Sequence, residues 1–403
     1  MTALVERLQL KERLPRTWPA FFERHGNFTP AQLAVIPLVL DGKNVMLCAP
    51  TASGKTEAVL APLIERLCSP VPTCPERGFG CHAQRAHDVA GKRMQKVHAR
   101  RGLAILYVTP TRALVNDLAA RLAHPLETLG LHLGVKTGDR DTLRPRCMPD
   151  VLLTTPESLD SLLTKQARLL IHLRAIVIDE IHLFDGTPRG DQLRVLLNRV
   201  RHVREYAHSQ GHTGDARIQY AALSATLPEP LTVASRYFTT PRVVEAGGRP
   251  PLVVDWVPLQ PEDPRALVEQ LHTFRRRGLR KALVFCNSRS EIEAYAAAVR
   301  ESSPFGDAVY VHYSNLDPRR RREIEQEFGA SNAAICFAST TLELGIDIGS
   351  VDIVLLIGPP GSQASFLQRI GRGNRRGGPG GRVSHAMCLY RSVLERLLFE
   401  ALC

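Results

Sequence analysis

The sequence predicts an α/β protein made of two tandem, doubly wound parallel-sheet domains. Short β-rich runs recur along the chain, each followed by a turn signal and a helical pattern, which is the order expected when helices cover both faces of a parallel sheet. The same alternation occurs again after a Gly- and Pro-rich stretch at 247–251, which reads as a linker. A length of 403 residues accommodates two or three domains of about 150 residues each.

The first domain is expected to span 1–247 and the second 248–403. Strands are predicted in the first at 44–48, 103–109, 151–154, 175–178 and 218–223. Strands are predicted in the second at 282–285, 308–312, 333–338 and 351–357. Residues 68–101 form an insertion in the first domain, which contains Pro, Gly and Cys at its start and is basic at its end.

Charge and cysteine content narrow the class of protein. Lys and Arg number 52 against 40 Asp and Glu, a formal net charge of +12, which favours nucleic acid as a partner, although a codon-biased genome would also enrich arginine. Nine cysteines, an odd number, lie in apolar surroundings such as those of Cys286 and Cys336, so reduced core thiols and a cytoplasmic location are expected. No apolar run approaches the roughly 18 residues that span a membrane, and the charged N-terminus is unlike a secretory signal.

A phosphate-binding loop is indicated where the first strand runs into Ala-Pro-Thr-Ala-Ser-Gly-Lys-Thr at 49–56 and then into a helix. This is the P-loop pattern with Ala in the first glycine position. Lys55 is expected to contact the β- and γ-phosphates and Thr56 to bind Mg²⁺. The other loop residues expected to hold the phosphates are Thr51, Ala52, Ser53 and Gly54. An ordinary strand-to-helix turn is disfavoured because strand, loop and helix occur in the required order.

Two adjacent carboxylates, Asp179 and Glu180, end the apolar run 176–178. At that position in an open α/β sheet, Asp179 is expected to hold Mg²⁺ through its water shell and Glu180 to orient or deprotonate the attacking water. An Asp-Glu pair by itself is more often part of a solvated loop, and the phosphate loop at Lys55 favours the catalytic interpretation. His182 follows, and a loop histidine with satisfied hydrogen bonds is its alternative interpretation.

The remaining motifs occur in the order found in superfamily 2 nucleic-acid helicases, which the chain resembles from residue 28 to residue 375. The matching segments are 28–32 (Q motif), 109–114 (Ia), 154–157 (Ib), 224–226 (III), 284–289 (IV), 340–349 (V) and 368–375 (VI). In particular, the chain resembles the DExH-box, Lhr-like (large helicase-related) branch of that superfamily. The resemblance rests on 179–182, Gly186, Arg189-Gly190 and 342–352.

This resemblance implies two RecA-like domains with an ATP cleft between them, ATP and Mg²⁺ as cofactors, and DNA rather than RNA as the nucleic acid. Arg372 and Arg375 would complete the ATP site from the second domain, with Arg369 and Arg376 as competing assignments and a nucleic-acid-contacting loop as the alternative. Further nucleotide contacts are implied at Gln32, Gly345, Asp347 and Gln368. Coupling residues are implied at His182, Ser224 and Thr226. Nucleic-acid contacts are implied at Thr111, Arg112, Thr155, Asn287, Ser288, Arg289 and Thr340.

Two further clusters are open to more than one interpretation. The run Arg319 to Arg322 is interpreted as a solvated basic helix face rather than a nucleic-acid contact. Within the insertion, a metal site is the alternative to a flexible basic segment that adds phosphate contacts. The residues that would form the metal site are Cys68, Cys74, Cys81, His82 and His87; three cysteines and long spacings argue against it.

The leading functional hypothesis is an ATP-dependent DNA translocase or helicase of 3′-to-5′ polarity. The alternatives are a remodelling module with little unwinding activity, or a helicase for RNA or hybrid duplexes. The chain ends 28 residues after motif VI, where Lhr-like proteins continue into accessory domains, so a core that relies on a partner protein for them is expected. A degenerate copy is disfavoured because Lys55, Asp179, Glu180 and Arg372 are all present.

Overall fold

The computed structural model describes residues 2–50, 53–68, 102–144, 148–225, 227–246, 252–260, 265–313, 315–342, 351–373 and 384–403. They form two compact units, each built on its own sheet. The second unit takes in the described residues of 245–403 and, in addition, those of 47–55 and 224–230. The linker at 247–251 and nearly all of the insertion, 69–101, lie outside the described residues.

The first sheet has seven strands in the order β3-β4-β2-β5-β6-β1-β7. The strands are β1 (Val45–Cys48), β2 (Ile105–Val108), β3 (Leu133–Lys136), β4 (Val151–Thr154), β5 (Ala175–Ile178), β6 (Gln219–Ser224) and β7 (Arg242–Glu245). Pairing is parallel between β3 and β4, β4 and β2, β2 and β5, and β5 and β6. The central strands β2, β4 and β5 are buried along their whole length, as the apolar runs predicted.

Helices connect and cover these strands. They are α1 (Thr2–Glu12), α2 (Thr17–Phe21), α3 (Pro30–Leu40), α4 (Lys55–Leu67), α5 (Arg112–Thr128), α6 (Pro156–Gln166), α7 (Pro188–Ser209) and α8 (Pro230–Tyr237). Threonine side chains accept backbone N–H groups at the starts of α3, α5 and α7, which satisfies donors that a helix leaves unpaired. The helices therefore begin where the strand-to-helix loops end, close to the carboxyl ends of the strands.

The second sheet has six strands in the order β10-β11-β9-β12-β13-β8, and all five neighbouring pairs are parallel. The strands are β8 (Leu252–Pro258), β9 (Lys281–Phe285), β10 (Val309–His312), β11 (Ala334–Ala338), β12 (Ile353–Ile357) and β13 (Ser384–Tyr390). The helices are α9 (Arg265–Arg276), α10 (Arg289–Glu301), α11 (Pro318–Ala330), α12 (Gln363–Ile370) and α13 (Val393–Leu402). Two apolar clusters, one on each face of the sheet, form its core.

Four strands were not predicted: β3, β7, β8 and β13. The first three are the outermost strands of their sheets, and their residues are partly exposed. An edge strand needs less apolar surface than a central one, so it lacks the continuous apolar run that identified β2, β4 and β5. The interior strand β13 follows a Gly-rich stretch and begins with the polar residues Ser384 and His385. Its apolar run is therefore too short to identify it as a strand from the sequence.

Buried thiols agree with the expectation of reduced core cysteines. Cys286, Cys336 and Cys388 are free and buried in the second unit, and burial raises the pKa of each thiol. None of the helices in the described ranges is long and apolar enough to cross a membrane.

Candidate nucleotide and nucleic-acid sites

The phosphate loop joins β1 to α4. Gly54 has a positive φ of 76°, a backbone conformation that glycine adopts without steric cost, and α4 begins at the next residue, Lys55. The Lys55 Nζ donates to the carbonyl oxygens of Ala49 at 2.8 Å and Pro50 at 3.2 Å. The ammonium group therefore lies over the loop that would enclose phosphate. Thr51 and Ala52 lie outside the described residues.

The carboxylate of Asp179 lies just beyond β5 and is held at both oxygens. The Glu180 backbone N–H donates to Oδ1 at 3.0 Å, and the Tyr107 hydroxyl donates to Oδ2 at 3.0 Å. Burial, and after it the charge of Asp179, raise the pKa of Tyr107 well above its usual value, so the phenol keeps its proton. The nearby side chain of Thr56 acts in the opposite direction and lowers that pKa. The two residues predicted to bind Mg²⁺ thus both act on one tyrosine.

Glu180 adopts a left-handed backbone conformation, with φ 46° and ψ 50°, which is uncommon for a residue other than glycine. Its Oε2 is buried and makes no hydrogen bond within the described part of the chain, and it lies 3.5 Å from His182 Nδ1. Backbone strain and an unsatisfied buried carboxylate oxygen are features that cluster at functional sites. A carboxylate in this state can accept a proton or a hydrogen bond from a water molecule.

The donor set around Asp179 fits Mg²⁺. That ion binds oxygen atoms, commonly one or two carboxylates together with phosphates and waters, and the hydroxyl of Thr56 and the carboxylate of Asp179 supply the protein oxygens. Across the described ranges, His, Cys, Asp and Glu form no group of three or more that could hold a metal ion, so an all-protein cage is not found there. Of the proposed cysteine site, Cys68 is free and buried, while Cys74, Cys81, His82 and His87 lie outside the described residues.

The remaining nucleotide-site residues are found in two places. Gln32 is buried at the start of α3, where it forms a capping box with Thr29: Gln32 Oε1 accepts the Thr29 N–H at 2.9 Å. Ser224 ends β6, and its carbonyl oxygen accepts the N–H of Ala49 at 3.1 Å, which connects motif III to the start of the phosphate loop. Thr226, Gly345, Asp347 and Arg375 lie outside the described residues.

A cavity of about 720 Å³ on the first unit brings together Thr111, Arg112 and Thr155, three residues predicted to contact nucleic acid. Thr111 lies at the N-terminus of α5 and Thr155 at that of α6, and helix N-termini attract anions. The Arg112 side chain is 62% exposed and lies 4.0 Å from Asp139. The cavity therefore presents to solvent groups that can bind an anion.

The carboxylates of Asp139, Asp141 and Glu157 also line this cavity. Four further residues of the cavity that can bind an anion were missed by sequence reasoning: Lys136, Thr137, Arg140 and Arg189. The first three lie at or just after β3, the unpredicted edge strand, and the turn Thr-Gly-Asp-Arg at 137–140 was the available signal. In the sequence, Arg189 is part of the resemblance to Lhr-like helicases and is not predicted to contact nucleic acid. It donates to Glu157 Oε1 and to the carbonyl oxygen of Pro110, both at 2.8 Å, and so ties motif Ib to motif Ia.

The predicted contact residues of the second unit make bonds within that unit. Asn287 donates to the Pro359 carbonyl oxygen at 2.9 Å and accepts from Arg369 Nη1 at 3.0 Å. Ser288 caps α10. Arg289 donates to Glu293 Oε1 at 3.0 Å and lies over the ring of Tyr313. Motif IV thus supports motif VI through the Asn287–Arg369 pair.

Three more motif residues belong to this unit. Thr340 begins a short 3₁₀ turn, Thr340–Leu342. Gln368, near the end of α12, is 4% exposed, and Arg372, just after the helix, is 2% exposed. The arginine run 319–322 opens α11, where Arg320 pairs with Glu323 at 3.1 Å, an arrangement typical of a solvated helix face.

Comparison with known proteins identifies the family. Residues 29–233 match the DEAD/DEAH box helicase family, and residues 263–377 match the helicase conserved C-terminal domain. The ATP-dependent helicase Lhr-Core of Methanocaldococcus jannaschii is 29% identical over 91% of this chain. The Lhr-Core protein 2 of Thermococcus barophilus is 30% identical over 90% of it. The chain spans 42% of the length of each relative.

A solved structure is also similar. Mycobacterium smegmatis helicase Lhr, bound to single-stranded DNA and AMP-PNP, has a TM-score of 0.71 and 25% identity, covering 94% of this chain and 48% of that one. The DEAD-box helicase Mss116, 18% identical with a TM-score of 0.72, has the same fold. The predicted pair of RecA-like α/β domains is confirmed, and the similarity to Lhr helicases expected from the motifs is found. This chain belongs to the DEAD/DEAH box helicase family.

Proposed function

We propose that this chain is an ATP-dependent DNA translocase and helicase core that hydrolyses ATP to ADP and phosphate and moves in the 3′-to-5′ direction. One observation carries the proposal. Within a parallel sheet, the carboxyl ends of neighbouring strands lie along one edge, where α/β proteins bind ligands. Here β1 leads to the phosphate loop and β5 to Asp179, while β2 and β4 lead to Thr111 and Thr155 in the cavity. ATP chemistry and nucleic-acid binding thus share one edge.

The ATP site would act through positioning and charge. Lys55 would leave the loop carbonyls to contact the β- and γ-phosphates, while Thr56 and Asp179 would hold Mg²⁺. The ion, when bound, neutralises charge that develops on the phosphates. Glu180 would orient the attacking water and accept its proton, and the unsatisfied Oε2 favours this role. Arg372 and Arg375 would supply positive charge to the transition state.

The nucleic-acid site would hold phosphates rather than bases. The cavity offers hydroxyls, guanidinium groups and helix N-termini, which are the groups that commonly bind phosphates, and a translocating enzyme needs equal affinity for every sequence. Asn287, Ser288, Arg289 and Thr340 would contribute contacts from the second unit. The choice of DNA rests on the similar M. smegmatis Lhr, which was solved with single-stranded DNA.

Strand separation is a finer part of the proposal. The chain spans 42% of the length of each Lhr-Core relative, and separation of a duplex is proposed here as an activity distinct from ATP hydrolysis. The alternative is an ATP-hydrolysing remodelling module with little unwinding activity of its own.

Parallel assays of hydrolysis and displacement test the proposal. We expect single-stranded DNA to stimulate ATPase activity more than RNA or duplex DNA, and a 3′-tailed duplex to be displaced faster than a 5′-tailed one. Stimulation without displacement would select the remodelling module, and stronger stimulation by RNA would reassign the substrate. An ATPase rate that no nucleic acid changes would contradict the proposed function.

A further inference from the structure

Tyr107 places a polar group inside a strand that is otherwise aliphatic. The sequence of β2 is Ile-Leu-Tyr-Val, and each of its residues is fully buried. Burying a hydroxyl costs free energy unless it is hydrogen-bonded, so a phenylalanine would suit a purely apolar position better. The hydroxyl of Tyr107 instead reaches the carboxylate at the end of the neighbouring strand. Its surroundings therefore indicate a task beyond packing.

The register of the sheet explains why Tyr107 and Asp179 meet. Val108 lies opposite Ile178 in the parallel pair of β2 and β5, and the Asp179 N–H donates to the Val108 carbonyl oxygen at 2.9 Å. The carboxylate therefore begins one residue beyond the paired strands, and the 3.0 Å hydrogen bond from Tyr107 fixes its Oδ2. The Glu180 N–H fixes Oδ1 from the other side, also at 3.0 Å.

Thr56 is the second residue that acts on the phenol. Burial and Asp179 raise the pKa of Tyr107, and the nearby Thr56 side chain lowers it. A phenol has one proton to donate, and the proton of Tyr107 goes to Asp179. The hydrogen bond to Asp179 is therefore the contact on which the inference depends.

We propose that Tyr107 is a positioning residue that orients Asp179 for the magnesium ion of ATP, which Thr56 would also bind. The inference rests on the proposed ATP-dependent function, which assigns that ion to these residues. Tyr107 itself would touch neither the ion nor the nucleotide. Partners that orient metal ligands from behind commonly contribute a factor of about 10 to 100 in metal affinity.

The test compares Tyr107→Phe, which removes one oxygen atom, with Tyr220→Phe. Tyr220 lies on β6 of the same sheet and stacks on Phe238 with ring centroids 5.5 Å apart. Each protein is bound to a fluorescent ATP analogue in EDTA, and Mg²⁺ is then added to measure the affinity for the ion. We expect Tyr107→Phe to bind Mg²⁺ about 10- to 100-fold more weakly, with unchanged affinity for the analogue in EDTA. Tyr220→Phe should match the wild type in both.

ATPase measurements against Mg²⁺ concentration separate positioning from structural damage. Positioning predicts that Tyr107→Phe needs more Mg²⁺ for half-maximal activity and approaches the wild-type kcat when Mg²⁺ is saturating. Equal Mg²⁺ affinity in wild type and Tyr107→Phe would overturn the inference, as would a loss of analogue binding in EDTA, which would indicate a disturbed fold. A wild-type protein that binds no Mg²⁺ with the analogue would instead contradict the proposed function.

Discussion

The residues expected to contact nucleic acid differ sharply between the two units. In the first unit, Thr111, Arg112 and Thr155 line one open cavity. In the second, Asn287 is bound on both sides of its amide by Arg369 and Pro359, Ser288 caps α10 and Arg289 donates to Glu293. The difference teaches that matching a motif locates a residue without saying what its polar atoms bind. The first group lines a cavity, whereas the polar atoms of the second group are bound within their own unit.

The largest effect is expected at Arg372, the motif VI arginine of the second unit. Arg372→Ala should lower the nucleic-acid-stimulated ATPase rate by about 10³- to 10⁵-fold if the guanidinium stabilises the transition state. Binding of single-stranded DNA should change little, which steady-state ATPase and fluorescence anisotropy would measure side by side.

Arg369→Ala is the matched control, because Arg369 is equally buried, at 2% exposure, and bonds to Asn287. It should lower the thermal stability of the second unit. If Arg372→Ala lost DNA affinity at an unchanged maximal ATPase rate, the assignment of Arg372 to the ATP site would be wrong. Arg372 would then contact the phosphate backbone of the nucleic acid.

The next effect concerns hydrolysis in the first unit. Glu180→Gln keeps the size of the side chain but removes the base that would activate water, so turnover should fall by about two or more orders of magnitude. Binding of ATP and of single-stranded DNA should persist, because neither the phosphate loop nor the cavity includes Glu180. Rapid-quench measurement of phosphate release tests the first point. Turnover close to that of the wild type would remove Glu180 from the mechanism.

The smallest effect is expected in the salt dependence of DNA binding, which compares the arginines of the two units directly. Replacing Arg112 and Arg140 with Ala should weaken binding of single-stranded DNA and flatten the slope of log affinity against log salt by about 0.7 for each phosphate that the protein no longer neutralises. Arg289→Ala should flatten the slope less, because its guanidinium donates to Glu293 at 3.0 Å and must leave that bond to reach a phosphate, whereas Arg112 lies 4.0 Å from Asp139. Equal slope changes per arginine would show that both units bind the strand alike.

Sequence reasoning located the parts of the site that depend on local order. The phosphate loop and Asp179 follow apolar strands that are fully buried, and long apolar runs are the features a sequence displays best. The pairing of Tyr107 with Asp179 depends on which strands become neighbours, since 72 residues separate them. Lys136 and Arg140 were missed for a different reason, because the edge strand beside them is too exposed to be recognised.

The place of β1 in the sheet has a consequence for synthesis of the protein. Asn44, just before β1, bonds to Tyr220 and to Thr239, which lie 176 and 195 residues further along the chain. The strand that carries the phosphate loop lies between β6 and β7, so it cannot be fixed until the ribosome has passed residue 245. Pairing over such sequence distances is slow, and an incomplete chain is expected to emerge unable to bind ATP. Nucleotide binding would thus report that the first unit has finished folding.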